Sequence, residues 1–446
     1  MASVSSAHLA ILLHLAGIAA FSASLPNGQV AAYCAASGDI AFRKSDFASA
    51  ESLYRRALAE DDACARAVWG LGRIEELNFR RAAARDYFAS AFRLDPQDPK
   101  IIRSYASVVT DRAAESLLLR NYIAVGGDGL EGTEFALGHI QMHQRLGNRE
   151  IDMLDTPYQS YTLPISPAYP GSLRPAGMVL RVSINGAKPL RLLFDTGARG
   201  IMIRSRAAEK LELEFLGSSV VRGVGAGEPA QAWIGLAQSL RIENLRMRNC
   251  LIEVSAGLPP GDNDGVIGAA MFQRFLIRFN AGEQLLELLP FPDPMPGPFM
   301  PERAWHGHDR VVAPGMEQFT KAHQVGHLLL VAAKVNREHS GYFLLDTGAA
   351  FSTLSLDLAG WRGAQSSVIP VSGLSGRAAG AVRVSPVRFQ IARGTLVDAD
   401  PVAFDLREMS RAEGVEISGL IGYPAISQGI LTINYRDGLI DIARRK

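Results

Sequence analysis

Cysteine and excess charge are both scarce in this 446-residue chain, and each shortage excludes a class of protein. Three cysteines are too few for a disulfide framework or a four-cysteine zinc site. The 46 Lys and Arg residues nearly balance the 45 Asp and Glu residues, and no block of like charges occurs. Nucleic acid and anionic membranes are therefore not expected partners. The length predicts two or three globular domains.

An uncharged apolar run occupies residues 9–23 and ends in small residues at 22–24. It is shorter than the about 20 residues of a membrane-spanning helix, and it resembles a secretory signal over residues 1–24, although no Lys or Arg precedes it. We expect an exported protein, periplasmic or extracellular. An uncleaved membrane anchor and a buried N-terminal helix are the alternatives. Cys34 and Cys64 are interpreted as buried free thiols, and a disulfide between them is the alternative in an exported chain.

Residues 30–145 are rich in good helix formers, and their apolar positions recur at helical spacing. Two stretches align with each other, and a third, weaker copy includes Tyr122. The aligned pairs are Gly38 with Gly72, Ala50 with Ala84, Tyr54 with Phe88, and Ala57 with Ala91. The constant shift between these pairs resembles the period of about 34 residues of the tetratricopeptide repeat. The resemblance implies a concave surface for a protein partner, and a helical spacer or cap is the alternative.

From about residue 170, short apolar runs separated by Gly, Asn and Pro predict β-strands. Asp-Thr-Gly-Ala follows such a run twice, at Asp195 and at Asp346. A later Gly-apolar-apolar-Gly element follows each aspartate at nearly the same distance along the chain. The aligned pairs are Gly265 with Gly419, Ile267 with Ile421, Gly268 with Gly422, and Asn280 with Asn434. Because these landmarks keep one order and a nearly constant offset, we interpret the pattern as an internal duplication.

The doubled motif resembles the aspartic proteases of the retropepsin-like and pepsin-like type. The resemblance implies a multidomain protein, α-helical repeats followed by two duplicated β-barrel lobes, with a cleft between the lobes. Lobe 1 is predicted at residues 170–290 and lobe 2 at 320–446. A linker is predicted at 146–169, and a second, proline-rich linker at 291–319.

Asp195 and Asp346 are the predicted catalytic residues. Two carboxyl groups about 3 Å apart share one proton, because they cannot both ionise cheaply. One carboxylate is then a base toward water while its partner is an acid toward the peptide carbonyl. This chemistry requires no metal, no cofactor and no covalent intermediate.

Four further motif residues are expected to support the two aspartates. The resemblance implies that Thr196 and Thr347 form hydrogen bonds across the lobe junction. Gly197 and Gly348 permit a tight turn and a close approach of the backbone.

Two glycine-rich segments are candidate flaps that contact substrate. They contain Gly223 and Gly225 in lobe 1 and Gly373 and Gly376 in lobe 2. Neither segment has the tyrosine of pepsin-like flaps, which favours the retropepsin-like type; ordinary loops are the alternative.

The lobes differ after the motif. A Ser or Thr that bonds near the two aspartates is common in the family, and only lobe 2 has one, in Ser352-Thr353. Arg199 in lobe 1 either points inward and lowers the pKa of the aspartates or faces solvent. His306, His308, His323 and His327 lie in or near the interlobe linker without a Cys or acidic ligand cluster, so a solvated linker is expected there rather than a zinc site.

The sequence therefore predicts an aspartic endopeptidase acting on peptide or protein substrates as a monomer, with helical repeats that recruit a partner or substrate. One alternative is an inactive, protease-like scaffold that binds peptides. Another is a cell-envelope scaffold in which the repeats carry the main function.

Overall fold

The computed structural model describes residues 27–169, 174–221, 230–258, 262–292, 313, 315–360, 371–373, 376–378, 380–391 and 394–444. The predicted signal, residues 1–24, and most of the predicted linker 291–319 lie outside the described residues. No described helix is both long and apolar enough to cross a membrane.

The N-terminal part of the chain is a helical array. Its helices are α1 (Asn27–Arg43), α2 (Phe47–Glu60), α3 (Ala65–Leu77), α4 (Arg81–Leu94), α5 (Pro99–Val108), α6 (Arg112–Ala124) and α7 (Leu130–Leu146). Asp46, Asp98 and Asp111 cap α2, α5 and α6 by accepting backbone N–H bonds. The helical prediction for this region therefore agrees with the structure.

Small residues and aromatic rings meet at equivalent places in the array. A Cβ atom at Gly38 would lie 2.6 Å from the ring of Tyr54, and one at Gly72 would lie 2.5 Å from the ring of Phe88. Both rings are fully buried. The contacts explain why glycine occupies both positions, and assignment of the array to the tetratricopeptide repeats stays a prediction.

Lobe 1 and the segment before it form strands. They are β1 (Met153–Leu154), β2 (Tyr161–Pro164), β3 (Ser166–Pro167), β4 (Met178–Ile184), β5 (Leu190–Asp195), β6 (Ile201–Arg204), β7 (Glu214–Val221), β8 (Ala230–Ile242), β9 (Leu245–Ser255), β10 (Gly265–Gly268), β11 (Leu276–Asn280) and β12 (Leu285–Leu289). A short helix, α8 (Ser205–Ala208), follows β6, and a 3₁₀ turn (Ala269–Phe272) follows β10.

Lobe 2 is also mainly strands. They are β13 (Thr320–Val325), β14 (Leu328–Val335), β15 (His339–Asp346), β16 (Thr353–Ser355), β17 (Val371–Gly373), β18 (Gly376–Ala378), β19 (Val382–Arg383), β20 (Val387–Ile391), β21 (Gly394–Asp398), β22 (Val402–Phe404), β23 (Gly419–Gly422), β24 (Gly429–Asn434) and β25 (Leu439–Arg444). Its short helices are α9 (Leu356–Gly360), α10 (Arg407–Glu413) and α11 (Tyr423–Ile426).

The two lobes share a central antiparallel sheet in the order β13-β25-β24-β11-β12-β2. Strands β11 and β24 meet in its middle, where Ile277 pairs with Ile433 and Phe279 pairs with Leu431. The alignment that matches Asn280 with Asn434 also matches Ile277 with Leu431 and Phe279 with Ile433. Each of the two cross-strand pairs therefore corresponds to the other when the lobes are interchanged. The register is thus the one that a twofold relation between the lobes requires.

The segment 146–169, predicted as a linker, begins at the last residue of α7 and contains three short strands. Strand β1 pairs with β9, β2 pairs with β12, and β3 pairs with β4. Tyr161 and Leu163 of β2 are buried in the main core. These strands form because their backbones pair with the edges of larger sheets. Tyr161 and Leu163 alone are too few alternating apolar residues to predict a strand from the sequence.

The helical array contacts both lobes. Helices α1–α3 share a hydrophobic core with lobe 2 that includes Leu330, Leu344 and Phe404. Helix α7 packs backbone against backbone on β7 of lobe 1, where a Cβ atom at Gly138 would lie 2.1 Å from the carbonyl oxygen of Ser218. The array is therefore joined to the lobes by packing as well as by the chain.

The three cysteines are free thiols. Cys34 and Cys250 are buried, whereas Cys64 is only half-buried. Burial raises the pKa of Cys34 and of Cys250. Both buried thiols are therefore poor nucleophiles.

Candidate active site

Asp195 and Asp346 occupy the last positions of equivalent strands, β5 and β15. Both strands are largely apolar and end where the chain turns at Gly. Each lies parallel to a later strand of its own lobe. Asp195 is paired with Gly268, and Asp346 with Gly422. The apolar-apolar-Gly element of each lobe thus runs beside its aspartate.

Close packing of neighbouring strands explains the glycines of that element. A Cβ atom at Gly268 would lie 2.3 Å from the carbonyl oxygen of Ala198, and one at Gly422 would lie 2.5 Å from that of Phe351. Contacts this short are not compatible with any side chain. The repeated glycines keep the motif turn against the strand beside each aspartate.

Thr196 and Thr347 join the two lobes through four hydrogen bonds. The backbone N–H of each threonine donates to the hydroxyl of the other, over 3.0 Å in both directions. The hydroxyl of Thr196 donates to the carbonyl of Leu345 over 2.7 Å, and that of Thr347 donates to the carbonyl of Phe194 over 2.9 Å. Because all four groups are buried, these bonds fix one lobe's motif turn against the other's.

The two carboxyl groups face each other across the motif glycines, since a Cβ atom at Gly197 would lie 3.1 Å from Asp195 Oδ1 and 3.2 Å from Asp346 Cγ. The N–H of Gly197 donates to Asp195 Oδ1 over 2.7 Å, and that of Gly348 donates to Asp346 Oδ1 over 3.0 Å. Each glycine also faces the aspartate of the other lobe, since a Cβ at Gly348 would lie 2.5 Å from Asp195 Cγ. A side chain at either glycine would therefore push the carboxyl groups apart.

Burial raises the pKa of both aspartates, and the charge of Asp346 raises the pKa of Asp195 further. Backbone N–H donors act in the opposite sense by stabilising the charged forms. Both residues keep part of their surface exposed. Such a pair retains one proton above the ordinary carboxyl pKa and is accessible to water.

His327, predicted to lie in or near the solvated linker, contacts the first motif turn. Its Nε2 lies 2.9 Å from the carbonyl oxygen of Gly197. Since a carbonyl only accepts, Nε2 carries the hydrogen. Burial and the charge of Arg199 lower the pKa of His327 to about 4, so the imidazole is neutral at neutral pH. No sequence signal pairs residues 130 positions apart in this way.

Arg199 faces solvent, the second of the two orientations considered for it, and Ser352 bonds beside Asp346 as expected of a Ser or Thr after the motif. Arg199 is exposed, and its charge adds to burial in lowering the pKa of His327. Burial raises the pKa of Glu413, and the charge of Arg199 opposes that rise. The hydroxyl of the buried Ser352 accepts a hydrogen bond from the N–H of Gly422 over 3.1 Å. Ser352 therefore positions the strand beside Asp346.

The candidate flaps are only partly described. Gly223 and Gly225 lie outside the described residues, in the connection between the antiparallel strands β7 and β8. In lobe 2, Gly373 pairs with Gly376 at the end of the β17–β18 hairpin. Contact of these glycines with substrate stays a prediction.

The remaining histidine candidates are not at the aspartates. His306 and His308 lie outside the described residues. His323 is in β13, where its ring packs against Phe47 and Tyr342 at the contact between array and lobe 2. The position of His323 was not predicted because β13 forms by pairing with β14 and β25 rather than by a pattern of its own.

Comparison with known proteins gives one family match. The family model described as aspartyl protease matches residues 180–271, which include the first Asp-Thr-Gly and strand β10. No curated protein matches the chain. Among solved structures, the aspartic proteinase from Irpex lacteus is similar at 10% identity, over 64% of this chain and 98% of that chain, with a TM-score of 0.38.

Proposed function

We propose that this chain is an aspartic endopeptidase in which Asp195 and Asp346 activate water to hydrolyse peptide bonds. The observation that supports this most is that two partly exposed carboxyl groups face each other at the ends of equivalent strands. The match of residues 180–271 to the aspartyl protease family supports it independently.

In the proposed reaction the pair carries one proton and one negative charge. The ionised carboxylate takes a proton from a water molecule, and the resulting oxygen attacks the peptide carbon. The protonated carboxyl gives its proton to the carbonyl oxygen, so a neutral gem-diol forms. The carboxyl that took the proton from water then gives it to the leaving nitrogen, while the other carboxylate takes a proton from a gem-diol hydroxyl. The C–N bond breaks, the carboxylic acid and the amine leave, and the pair again holds one proton.

The test is hydrolysis of denatured protein and of a peptide library, scanned from acid to neutral pH. Asp195→Asn and Asp346→Asn are each expected to lower turnover at least 1,000-fold, and the double variant to add little, because the two groups act as a unit. Asp357→Asn is the matched control, since it makes the same change at an exposed residue of lobe 2. A bell-shaped pH profile is expected.

Near-full hydrolysis by Asp346→Asn would contradict the proposal. Tight binding of peptides by a folded chain that hydrolyses none of them would favour the alternative, an inactive peptide-binding scaffold. Activity proportional to the first power of protein concentration is expected, because both aspartates lie on one chain.

We also propose that the chain is exported and that the array recruits a protein partner or substrate. Leu117 and Leu130, with 69% and 77% of their surface exposed, are apolar contacts available on α6 and α7. Leu117→Lys and Leu130→Lys should lower turnover of a folded protein substrate and leave turnover of short peptides unchanged. If the variants hydrolyse the folded protein as fast as the parent chain does, these two residues do not recruit the substrate.

A further inference from the structure

A cluster of two histidines and one glutamate lies in the helical array, apart from the two aspartates. Glu115 is in the first turn of α6, and His139 and His143 are on α7. One ligand atom from each residue lies within 4.8 Å of those of the other two. Among the residues that the structure describes, this is the group of His, Cys, Asp and Glu side chains arranged to hold a metal ion.

Helix geometry brings the three side chains together. Residues four apart share one face of a helix, so both imidazoles of α7 face the same way. Helices α6 and α7 pack around Leu119, Tyr122 and Ile140, and this packing puts Glu115 opposite the histidines. The ring of Phe135 packs at 4.1 Å against the ring of His139 and restricts its orientation.

The separations suit one small cation. Glu115 Oε1 lies 3.5 Å from His139 Nδ1, and Glu115 Oε2 lies 3.5 Å from His143 Nε2. Tetrahedral ligands at the usual zinc distances of about 2.0–2.1 Å are about 3.3–3.4 Å from one another. The ligand atoms of the three residues lie within 4.8 Å of one another, so a shared ion requires any pair to close by at most about 1.4 Å.

Ser116 orients one imidazole for ligation. Its hydroxyl lies 2.9 Å from His143 Nδ1. When Nδ1–H donates to this hydroxyl, the lone pair of Nε2 faces the carboxylate of Glu115. Nitrogen and oxygen are then both acceptors, and a cation between them would satisfy both. Ligating histidines usually hold their second ring nitrogen in such a bond.

The second observation concerns the Nδ1 atom of His139. Its Nδ1 is buried and has no hydrogen-bond partner in the described part of the chain, although the Glu115 carboxylate is nearby. Arg112, the nearby cation, donates Nη1 to the carbonyls of Gly147 and Arg149. The guanidinium is thus bound to the end of α7 rather than to Glu115.

We propose that Glu115, His139 and His143 bind one Zn²⁺ ion, with water from solvent as the fourth ligand. Two imidazoles and one carboxylate suit zinc better than magnesium or calcium, which prefer oxygen ligands alone. The side chains of Glu115 and His139 are 21% and 23% exposed, which leaves an opening for that water. Bound zinc would clamp α6 to α7, the helix that packs on β7 of lobe 1.

The experiment uses the untagged full chain, stripped with a chelator and dialysed against Zn²⁺. One zinc per chain and a rise in melting temperature are expected. Glu115→Gln and His139→Ala should each weaken zinc affinity at least 100-fold, and Ser116→Ala should weaken it about 10–100-fold, the range for an outer-shell partner. Circular dichroism establishes that each variant is folded; Glu115→Gln hardly changes volume and keeps the test valid if His139→Ala unfolds.

The matched control replaces both His306 and His308 by Ala, since His-x-His can also chelate a metal. Unchanged zinc affinity in this control supports the site in the array. Loss of zinc binding in the control but not in Glu115→Gln would overturn the proposal. A melting temperature of the parent chain that zinc does not change would also overturn it, because the cluster would then be an ordinary His–Glu ion pair.

Discussion

His327 donates a hydrogen bond from Nε2 to the carbonyl oxygen of Gly197, which ties the start of β14 in lobe 2 to the first motif turn in lobe 1. The bond adds to those of Thr196 and Thr347 and is made by a half-buried side chain that is close enough to the exposed Arg199 to be affected by its charge. His327 is therefore a positioning residue for Asp195.

His327→Leu is expected to cost about 1 kcal/mol of unfolding free energy, because the Gly197 carbonyl loses its partner. Peptide turnover should fall severalfold with little change in KM. His327→Gln, which keeps an N–H donor, should recover part of both losses. Urea unfolding and steady-state kinetics measure these effects; equal turnover in His327→Leu and the parent would refute the positioning role.

The same histidine predicts a pH dependence of stability. Its folded pKa of about 4 lies below its ordinary value of 6.5, so the unfolded chain binds more protons between these values. The contribution of His327 to stability therefore falls as pH falls from 6.5 to 4. Unfolding free energies at pH 7.5, 5.5 and 4.5 should decrease less steeply in His327→Gln. Parallel pH dependences of the two proteins would contradict this.

The two aspartates predict the opposite sign. Their folded pKa values are raised above the ordinary 3.8, so the folded chain retains a proton that the unfolded chain releases. Stability from this source is present at low pH and is lost as pH rises from about 4 through the folded values. Asp195→Asn cannot ionise, so it should gain stability relative to the parent at pH 7 but not at pH 3. Asp357→Asn should show no such difference.

The tightly packed glycines beside the aspartates, Gly268 and Gly422, are expected not to tolerate substitution by alanine. Gly268→Ala and Gly422→Ala should each cost about 1–3 kcal/mol of unfolding free energy, the range for overpacking, and lower turnover at least 10-fold. Gly200→Ala is the matched control, because no heavy atom lies within 4 Å of its added Cβ. Chemical unfolding and kinetics test the three variants. Equal unfolding free energies of Gly268→Ala and Gly200→Ala would contradict the prediction, because the motif turn would then move away from β10 without a loss of stability.

Truncation tests the dependence of the lobes on the array. Residues 165–446 lack β2 and expose the surface of Leu330, Leu344 and Phe404 that α1–α3 cover. This shortened chain should aggregate, whereas residues 27–446, the control, should remain monomeric. Size-exclusion chromatography and circular dichroism distinguish the outcomes. A folded, monomeric 165–446 chain with full peptidase activity would show that the array is dispensable.

The parts of the site predictable from sequence are those that occur twice. Asp195 and Asp346 recur with the same neighbours, and the glycines at 268 and 422 recur because both lobes pack a strand against the motif turn. Contacts made once leave no such signal. His327 meets Gly197 only through the fold, and β2 is too short to show a period.

The zinc ligands fall between these cases. His139 and His143 are four residues apart, a spacing that the sequence displays and that predicts a shared helix face. Glu115 is on the preceding helix, and only the packing of α6 on α7 joins it to His139. A search for paired histidines on predicted helices could have found two of the three.

The pairing of β11 with β24 has a consequence for synthesis. Ile277 meets Ile433, which the ribosome adds 433 − 277 = 156 residues later. At about 5–20 residues per second, β11 waits about 8–30 s for its partner strand. Its open edge can meanwhile pair with another chain. The β24–β25 hairpin therefore covers an edge of lobe 1, and a nascent chain that stalls before residue 429 would keep this edge exposed.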